Sequence, residues 1–228
     1  MEDAMIRYLL LCLSLLGTAA TIEAKQETFD IEVLSWNPRI ILLRNFLNNK
    51  ECAHLISEAI PKLERSQTLD EQSGEGKIVD ERTSYGMFFD ARGCDSVISR
   101  IEEKISHLTM MPVTNGESIQ VLSYGPGEEF KPHHDYFDSA TIGGKEALAN
   151  GGQRMATLIM YLNSVGEGGE TIFPEIDLKI TPKKGNAILF YNCHPDGRED
   201  PLTFHGGAPV VQGTKWIATK WLHLEEVQ

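Results

Sequence analysis

The sequence lacks features that several classes of protein require. Its 228 residues carry a formal net charge of -12 and contain no run rich in lysine and arginine. Nucleic acids and anionic lipid surfaces bind to basic patches, so we expect no nucleic acid partner. The sequence also contains neither Cys-x-x-Cys nor His-Glu-x-x-His. These absences disfavour a structural zinc site and a zinc hydrolase.

Cysteine is scarce. Of the four cysteines, Cys12 lies in an apolar N-terminal stretch, which leaves Cys52, Cys94 and Cys193 in the rest of the chain. An odd number permits at most one disulfide bond and leaves at least one thiol. The pattern leaves open whether any two of them pair.

A long apolar run is missing too. Residues 8–17 are rich in leucine, follow Arg7 and precede small residues over 18–24. This order is typical of a signal peptide, and the run is shorter than the roughly 20 residues that span a bilayer. We expect residues 1–24 to be a signal peptide, with a short membrane anchor as the alternative, and residues 25–37 to be a linker. A cleaved leader predicts the secretory pathway, meaning the endoplasmic reticulum lumen or a bacterial periplasm, without stable membrane association.

The remainder, residues 38–228, predicts one domain that begins with helices. Apolar residues recur at helical spacing over 48–60, where Asn48 is the expected N-cap and Glu51 occupies the third helical position. A second amphipathic helix is expected over 95–108. The polar residues 66–76 between them predict a mobile loop. Helices should therefore support the domain over residues 45–112.

After residue 117 the pattern changes to short runs rich in β-branched, aromatic and aliphatic residues. Glycine and proline interrupt these runs, which favours an antiparallel barrel or jelly roll over alternating strands and helices. We therefore predict a mainly β fold with flanking N-terminal α-helices and a jelly-roll core over residues 117–225. The four expected strands are residues 118–124, 155–162, 187–191 and 215–222.

Two histidines and an aspartate are candidates for a metal site. On an extended strand, residues two apart point to the same face, so His133 and Asp135 converge while His134 points away. His205 can complete a set of two imidazoles and one carboxylate, which suits Fe(II) and leaves positions open for a cosubstrate and dioxygen. Taken alone the pattern is weak, because His-x-Asp often occurs by chance.

Lys215 is the second candidate, because a strand places it on one face with Ile217, Thr219 and Trp221. If that face is the inside of the barrel, the lysine needs an anionic partner, and a dicarboxylate such as 2-oxoglutarate is one. The alternative is a surface lysine with Trp216 inside, and the pattern does not separate the two.

Four segments, in order along the chain, resemble the prolyl 4-hydroxylase family, and the similarity extends over roughly residues 38–224. They are residues 124–137 (YGPGEEFKPHHDYF), 154–163 (RMATLIMYLN), 168–174 (GGETIFP) and 205–221. The resemblance implies a double-stranded β-helix, also called a jelly-roll or cupin-like core. It further implies Fe(II) held by His133, Asp135 and His205.

The same resemblance implies how the cosubstrate binds. Lys215 would bind the distal carboxylate of 2-oxoglutarate, and the hydroxyl groups of Tyr124 and Thr171 would donate hydrogen bonds to it. Dioxygen would be the second cosubstrate, and ascorbate would re-reduce iron after unproductive turnovers. Residues 38–228 would then be the catalytic domain of a 2-oxoglutarate-dependent dioxygenase.

Five residues are expected to contact a peptide. Arg154 and Trp221 match family positions beside the peptide channel, and Arg82 lies in the loop that closes over the peptide. Phe130 and Tyr136 add aromatic surface, although Phe130 stands where many relatives have tyrosine. A surface salt bridge for each arginine and core packing for Trp221 are the alternatives.

The expected reaction is hydroxylation of peptidyl proline to 4-hydroxyproline, with release of succinate and carbon dioxide. A rival keeps the iron chemistry but acts on a lysyl residue or a small molecule. A second rival is a non-catalytic, cupin-like binding module. The sequence does not identify the protein substrate or the oligomeric state.

Overall fold

The computed structural model describes residues 29–70, 72–89 and 95–227. The expected leader, residues 1–24, and Cys94 lie outside these residues. Sixteen strands lie within the described chain, and several of them are only two or three residues long. They are β1 (Asp30–Trp36), β2 (Arg39–Arg44), β3 (Glu64–Arg65), β4 (Thr68–Leu69), β5 (Gly76–Lys77), β6 (Tyr85–Phe88), β7 (Gln120–Tyr124), β8 (Phe130–His133), β9 (Arg154–Tyr161), β10 (Glu167–Gly168), β11 (Thr171–Phe173), β12 (Leu178–Ile180), β13 (Ala187–Tyr191), β14 (His205–Gly207), β15 (Val210–Gln212) and β16 (Lys215–His223).

Within the described residues, three α-helices accompany the strands: α1 (Asn49–Ala59), α2 (Ser96–Thr109) and α3 (Ile142–Leu148). The expected N-cap of α1 is confirmed, because the Asn48 side chain accepts hydrogen bonds from the main chain of α1. The Asn48 main-chain N–H in turn donates to the Glu51 carboxylate, which completes a capping box. Asp95 caps α2 in the same way through its carboxylate. Both predicted helices are therefore confirmed, each within about a residue of its expected ends.

The main sheet has eight antiparallel strands in the order β1-β2-β13-β9-β16-β7-β6-β3. All four strands predicted from the sequence lie within it. Alternate residues of β9 point to opposite faces, so Leu158 and Met160 pack toward the helices while Ile159 and Tyr161 join a second cluster on the other face. Both faces of the central strands are covered, which explains why β9 is almost continuously buried.

The second face of the main sheet packs against a smaller sheet of order β12-β11-β14-β8. Phe173 on β11 meets Phe190 on β13 edge to face, with ring centroids 5.3 Å apart. The two sheets form a sandwich whose interior opens toward the ends of β8 and β14. The predicted fold class, mainly β with a jelly-roll core and N-terminal helices, is confirmed.

Two segments differ from the sequence-based expectation. Residues 30–36 of the predicted linker form β1, which pairs with β2 at the edge of the main sheet. An edge strand is exposed on both faces, so it lacks the alternation that reveals a half-buried strand. Residues 66–76, predicted as a loop, contain β4 and lead into β5, and the two strands pair as a short hairpin.

Helix α3 was not predicted at all. Its sequence, IGGKEAL, contains two glycines, which disfavour helices. Thr141 caps it by accepting a hydrogen bond from the Gly144 main chain. A side chain at Gly144 would meet the Asp138 carbonyl oxygen at 1.9 Å, so close packing requires glycine here.

Within the part of the chain that the structure describes, no helix has the length and apolar character needed to cross a lipid bilayer.

The capping box of α1 gives a stability prediction. Asn48→Ala removes the side-chain acceptor and should lower the free energy of unfolding by about 1 kcal/mol. Asn48→Asp keeps an acceptor at the same position and should cost much less. Urea unfolding of both variants measures the difference, and equal losses would show that the cap does not stabilise α1.

Candidate active site

Backbone pairing brings the three predicted metal ligands together. His133 ends β8, Asp135 follows two residues later, and His205 begins β14. Strands β8 and β14 are antiparallel neighbours, and His205 lies directly opposite His133 in their register. One ligand atom from each of the three side chains lies within 4.8 Å of the others.

The Asp135 carboxylate lies between the two imidazoles. Its Oδ1 is 3.4 Å from His133 Nε2, and its Oδ2 is 3.6 Å from His205 Nε2. His134 points away, as the strand pattern predicts, and its Nε2 donates to the Pro201 carbonyl at 3.1 Å. The triad therefore converges through two Nε2 atoms and one carboxylate.

Hydrogen bonds to the main chain orient both imidazoles. His133 Nδ1 donates to the Lys131 carbonyl, and His205 Nδ1 donates to the Thr203 carbonyl, each at 2.9 Å. With the proton on Nδ1, each Nε2 has a lone pair available for a metal. Such main-chain partners are typical of histidines that bind metals.

The charges of the triad also fit a divalent cation. Burial lowers the pKa of His205 to about 4, so the imidazole is neutral at physiological pH. Burial alone would raise the pKa of Asp135, but the neighbouring His205 and His133 rings hold it well below its usual range. Two imidazoles and one carboxylate form the ligand set that non-haem Fe(II) oxygenases use.

An inner cavity of about 40 Å³ connects the triad to Lys215. Tyr124, Thr171 and Lys215 all line this inner cavity. The Lys215 side chain is buried, which excludes the alternative of a surface lysine, and its amino group forms no hydrogen bond or ion pair within the described chain. Burial lowers the pKa of Lys215 to about 8, and the Glu170 carboxylate only partly offsets this.

Tyr124, Thr171 and Gly207 lie near Lys215 in the inner cavity. Its amino nitrogen lies 5.5 Å from the centre of the Tyr124 ring. The Tyr161 hydroxyl donates to Thr171 Oγ1 at 2.8 Å, which leaves the Thr171 hydrogen free to donate elsewhere. A Cβ at Gly207 would lie 3.3 Å from the lysine nitrogen, so the strand comes close to the cation there. The end of the inner cavity thus offers a cation and a hydroxyl donor.

A wider outer groove, about 740 Å³, runs past the triad at the surface. The predicted aromatic residues Phe130, Tyr136 and Trp221 line the outer groove, as does Arg82. Phe130 stacks on His133 with ring centroids 3.7 Å apart, and Tyr136 stacks on His134 at 4.5 Å. The groove therefore places one aromatic ring, Phe130, directly against a member of the triad.

Arg82 connects the β4–β5 hairpin to the main sheet. One terminal nitrogen donates to the Gln67 carbonyl at 2.8 Å, and the other donates to the Gln120 side chain at 2.9 Å. The guanidinium also lies over the Phe130 ring, 4.9 Å from its centroid. Arg82 itself lies between β5 and β6, and its side chain ties the hairpin that borders the outer groove to β7.

The guanidinium of Arg154 is engaged by a residue that sequence reasoning missed. Glu117 accepts hydrogen bonds from Arg154 Nε at 2.5 Å and from Nη2 at 3.0 Å, and another from His223 Nε2 at 2.8 Å. The rings of Phe137 and Trp221 lie 4.6 and 4.4 Å from the arginine. Arg154 borders the outer groove as expected, but in a partly buried salt bridge rather than a surface one.

Comparisons with known proteins agree with this geometry. Residues 119–223 match the family model described as the 2OG-Fe(II) oxygenase superfamily. The fold and the site therefore define an Fe(II)- and 2-oxoglutarate-dependent oxygenase.

Similar proteins identify the family within this superfamily. Prolyl 4-hydroxylase 5 of Arabidopsis thaliana is 44% identical over 215 residues, which cover 86% of this chain and 72% of that protein. Prolyl 4-hydroxylase 2 of the same plant is 40% identical over 216 residues, with 86% and 70% covered. The chain belongs to the prolyl 4-hydroxylase family. It is an oxidoreductase that hydroxylates proline and depends on Fe(II), 2-oxoglutarate and dioxygen.

Solved structures show the same fold. A viral collagen prolyl hydroxylase from Paramecium Bursaria Chlorella virus-1, solved with 2OG, superposes with a TM-score of 0.62 at 33% identity, covering 80% of this chain and 94% of that chain. A Trichoplax adhaerens prolyl hydroxylase superposes with a TM-score of 0.59 at 17% identity, covering 82% and 84%. The second likeness shows the fold alone.

The Glu117–Arg154 pair gives a second prediction. Glu117→Gln leaves a partly buried guanidinium without its counter-ion and should lower the free energy of unfolding by about 3 kcal/mol at pH 7. Replacing both residues, Glu117→Gln with Arg154→Met, should recover part of that loss. Urea unfolding measures the stability of both variants. If Glu117→Gln alone were as stable as the double variant, the result would contradict the pairing.

The same pair predicts a pH dependence. Burial acts to raise the pKa of Glu117, but Arg154 and His223 outweigh it and lower the pKa from 4.5 to about 2. The stabilisation is therefore complete above pH 4.5 and is lost as the pH falls toward 2. The stability difference between the wild type and Glu117→Gln should shrink in that range.

Proposed function

We propose that His133, Asp135 and His205 hold the Fe(II), and that 2-oxoglutarate occupies the inner cavity with its distal carboxylate on Lys215. The observation that carries this assignment is the buried, unpaired Lys215. An unpaired ammonium group inside a protein is costly, and a carboxylate ligand at the end of the inner cavity offsets that cost.

The hydroxyl groups of Tyr124 and Thr171 are proposed to donate hydrogen bonds to the same carboxylate. Tyr161 supports this role for Thr171, because its own hydroxyl donates to Thr171 Oγ1 and so directs the threonine hydrogen away. When bound, Fe(II), 2-oxoglutarate and dioxygen supply the oxidant for proline, with succinate and carbon dioxide as products. Ascorbate is proposed as the reductant that restores Fe(II) after unproductive turnovers.

The proposed substrate is a proline within an extended, proline-rich segment of a peptide or protein. Such a segment is already restricted in conformation, so it loses little entropy when it docks in the outer groove. The rings of Phe130, Tyr136 and Trp221 offer apolar surface to the proline. The collagen prolyl hydroxylase activity in the name of the viral relative agrees with this substrate class.

The protein must also position the peptide and exclude water from the site. Arg82 links the β4–β5 hairpin to the groove floor, and Arg154 supports the Trp221 ring from one side. Phe130 offers no phenolic hydroxyl, so contact with the proline is apolar at this position. We therefore propose that Arg82 and Arg154 help to maintain the shape of the outer groove.

We also propose that the protein works in the secretory pathway, on the basis of residues 1–24 of the sequence. A fusion of residues 1–26 to a fluorescent reporter tests this location. A reporter that enters the endoplasmic reticulum supports the proposal, and one that stays in the cytosol contradicts it.

The central assay follows two products together. Purified protein with Fe(II), ascorbate, 2-oxoglutarate and a proline-rich peptide should form succinate and add one oxygen to proline, and His133→Ala should abolish both. Liquid chromatography with mass spectrometry measures both products. Succinate without peptide oxidation would point to a lysyl or small-molecule substrate. Neither product from folded, iron-loaded protein would favour a binding module.

Lys215 predicts how 2-oxoglutarate binding depends on pH. The distal carboxylate needs the protonated amine, and the pKa of Lys215 is about 8 in the free protein. Affinity for 2-oxoglutarate should therefore be constant below pH 8 and fall by up to about tenfold per pH unit above it. Calorimetric titration measures this. Lys215→Met should bind weakly at every pH, and a wild-type affinity that does not change up to pH 9.5 or so would refute the assignment.

A further inference from the structure

Two buried polar side chains lie behind the Asp135 carboxylate, on the side away from the outer groove lining. The Thr157 hydroxyl lies 2.7 Å from Asp135 Oδ2, and the Asn192 side-chain nitrogen lies 3.0 Å from Thr157 Oγ1. Both Thr157 and Asn192 are completely buried. Together they form a line of hydrogen bonds from the Asn192 amide through the Thr157 hydroxyl to the Asp135 carboxylate.

The chemistry of the three groups sets the direction of this line. The Asn192 amide nitrogen can only donate, so Thr157 Oγ1 accepts from it and gives its own hydrogen to Asp135. The opposite amide orientation would draw the threonine hydrogen toward an amide oxygen and leave the carboxylate without it. A hydrogen bond to a charged acceptor is the stronger one, so the carboxylate receives it.

Packing does not explain why these residues are polar. Thr157 lies on β9 and points to the same face as Ile159, which is apolar and buried. Valine has the same shape as threonine and would avoid the cost of burying a hydroxyl group. The Asn192 side-chain oxygen has no hydrogen-bond partner among the described residues, which adds a further cost. A function other than packing is therefore needed.

The main chain of Asn192 extends the connection to the other side of the site. Its N–H donates to the Met155 carbonyl at 2.9 Å, and its carbonyl accepts from the Asp200 N–H at 2.8 Å. The Asp200 carbonyl in turn accepts from the Thr203 N–H, and the Thr203 carbonyl accepts from His205 Nδ1. Asn192 thus reaches Asp135 through its side chain and His205 through its main chain.

We propose that Thr157 and Asn192 are positioning residues that fix the Asp135 carboxylate, and with it the relative placement of Asp135 and His205, before iron binds. The hydrogen bond from Thr157 restricts rotation of the carboxylate. The proposal rests on the assignment of Fe(II) to His133, Asp135 and His205. Supporting partners of this kind typically change metal affinity by about 10- to 100-fold when removed.

A pair of variants separates the hydrogen bond from packing. Thr157→Val keeps the shape and removes the donor, whereas Thr157→Ser keeps the donor and removes a methyl group. Anaerobic Fe(II) titration in the presence of 2-oxoglutarate, followed by the visible absorption of the chelate, gives the dissociation constant. We expect Thr157→Val to weaken Fe(II) binding by about tenfold or more and Thr157→Ser to stay near the wild type.

Kinetics give an independent readout. At limiting Fe(II) the activity of Thr157→Val should fall with its affinity, while at saturating Fe(II) most of kcat should return. A packing defect would instead affect both variants and lower the thermal stability of the iron-free protein. Equal Fe(II) affinity for folded Thr157→Val and the wild type would overturn the proposal. A wild type that binds no Fe(II) would overturn the proposed function itself.

Asn192→Leu tests the role of Asn192 while Thr157 is unchanged. The proposal therefore stays testable even if Thr157→Val does not fold. It should weaken Fe(II) binding several-fold, because Thr157 is then free to rotate. In the double variant with Thr157→Val the losses should not add, since both changes break one line of hydrogen bonds. If Asn192→Leu bound Fe(II) with wild-type affinity, Asn192 would be removed from the proposal. Additive losses of Fe(II) affinity in the double variant would contradict a single line of hydrogen bonds.

Discussion

The pairing of β8 with β14 is the constraint on which the site depends. These short strands carry both histidines, and a slip of one residue would turn His205 to the opposite face. Gly206 keeps the strands close, because a Cβ there would lie 2.8 Å from the Phe130 carbonyl oxygen and 2.9 Å from the Pro132 nitrogen. The relative placement of the two histidines is therefore set by backbone contacts.

Charges inside the sandwich fall into two groups, and the difference marks the ligand sites. Glu117 and Arg154 neutralise each other, and His223 completes the hydrogen bonding of the carboxylate. Asp135 and Lys215, in contrast, are buried without a full counter-ion among the described residues. That cost supports the proposal that a divalent cation binds at Asp135 and a carboxylate binds at Lys215.

Prediction from the sequence succeeded where one local pattern decides the structure. A few neighbouring residues are enough to predict the Asn48 cap, the apolar face of α2 and the strand from Lys215 to Leu222, although the pattern left open which face of that strand is buried. It failed for β1, whose exposed position removes the periodicity, and for α3, whose glycines oppose a helix. In both cases packing against distant parts of the chain overrides the local preference.

The sequence alone determined the candidate ligands, because the spacing of two residues predicts that His133 and Asp135 face the same way and the family motifs supply His205 and Lys215. Only the tertiary structure decided what surrounds them. Thr157 lies 22 residues from the Asp135 carboxylate it supports, and Glu117 lies 37 residues from Arg154. Periodicity reveals which face a side chain occupies, whereas its partner on another strand depends on the order and register of the sheet. Those are properties of the whole fold.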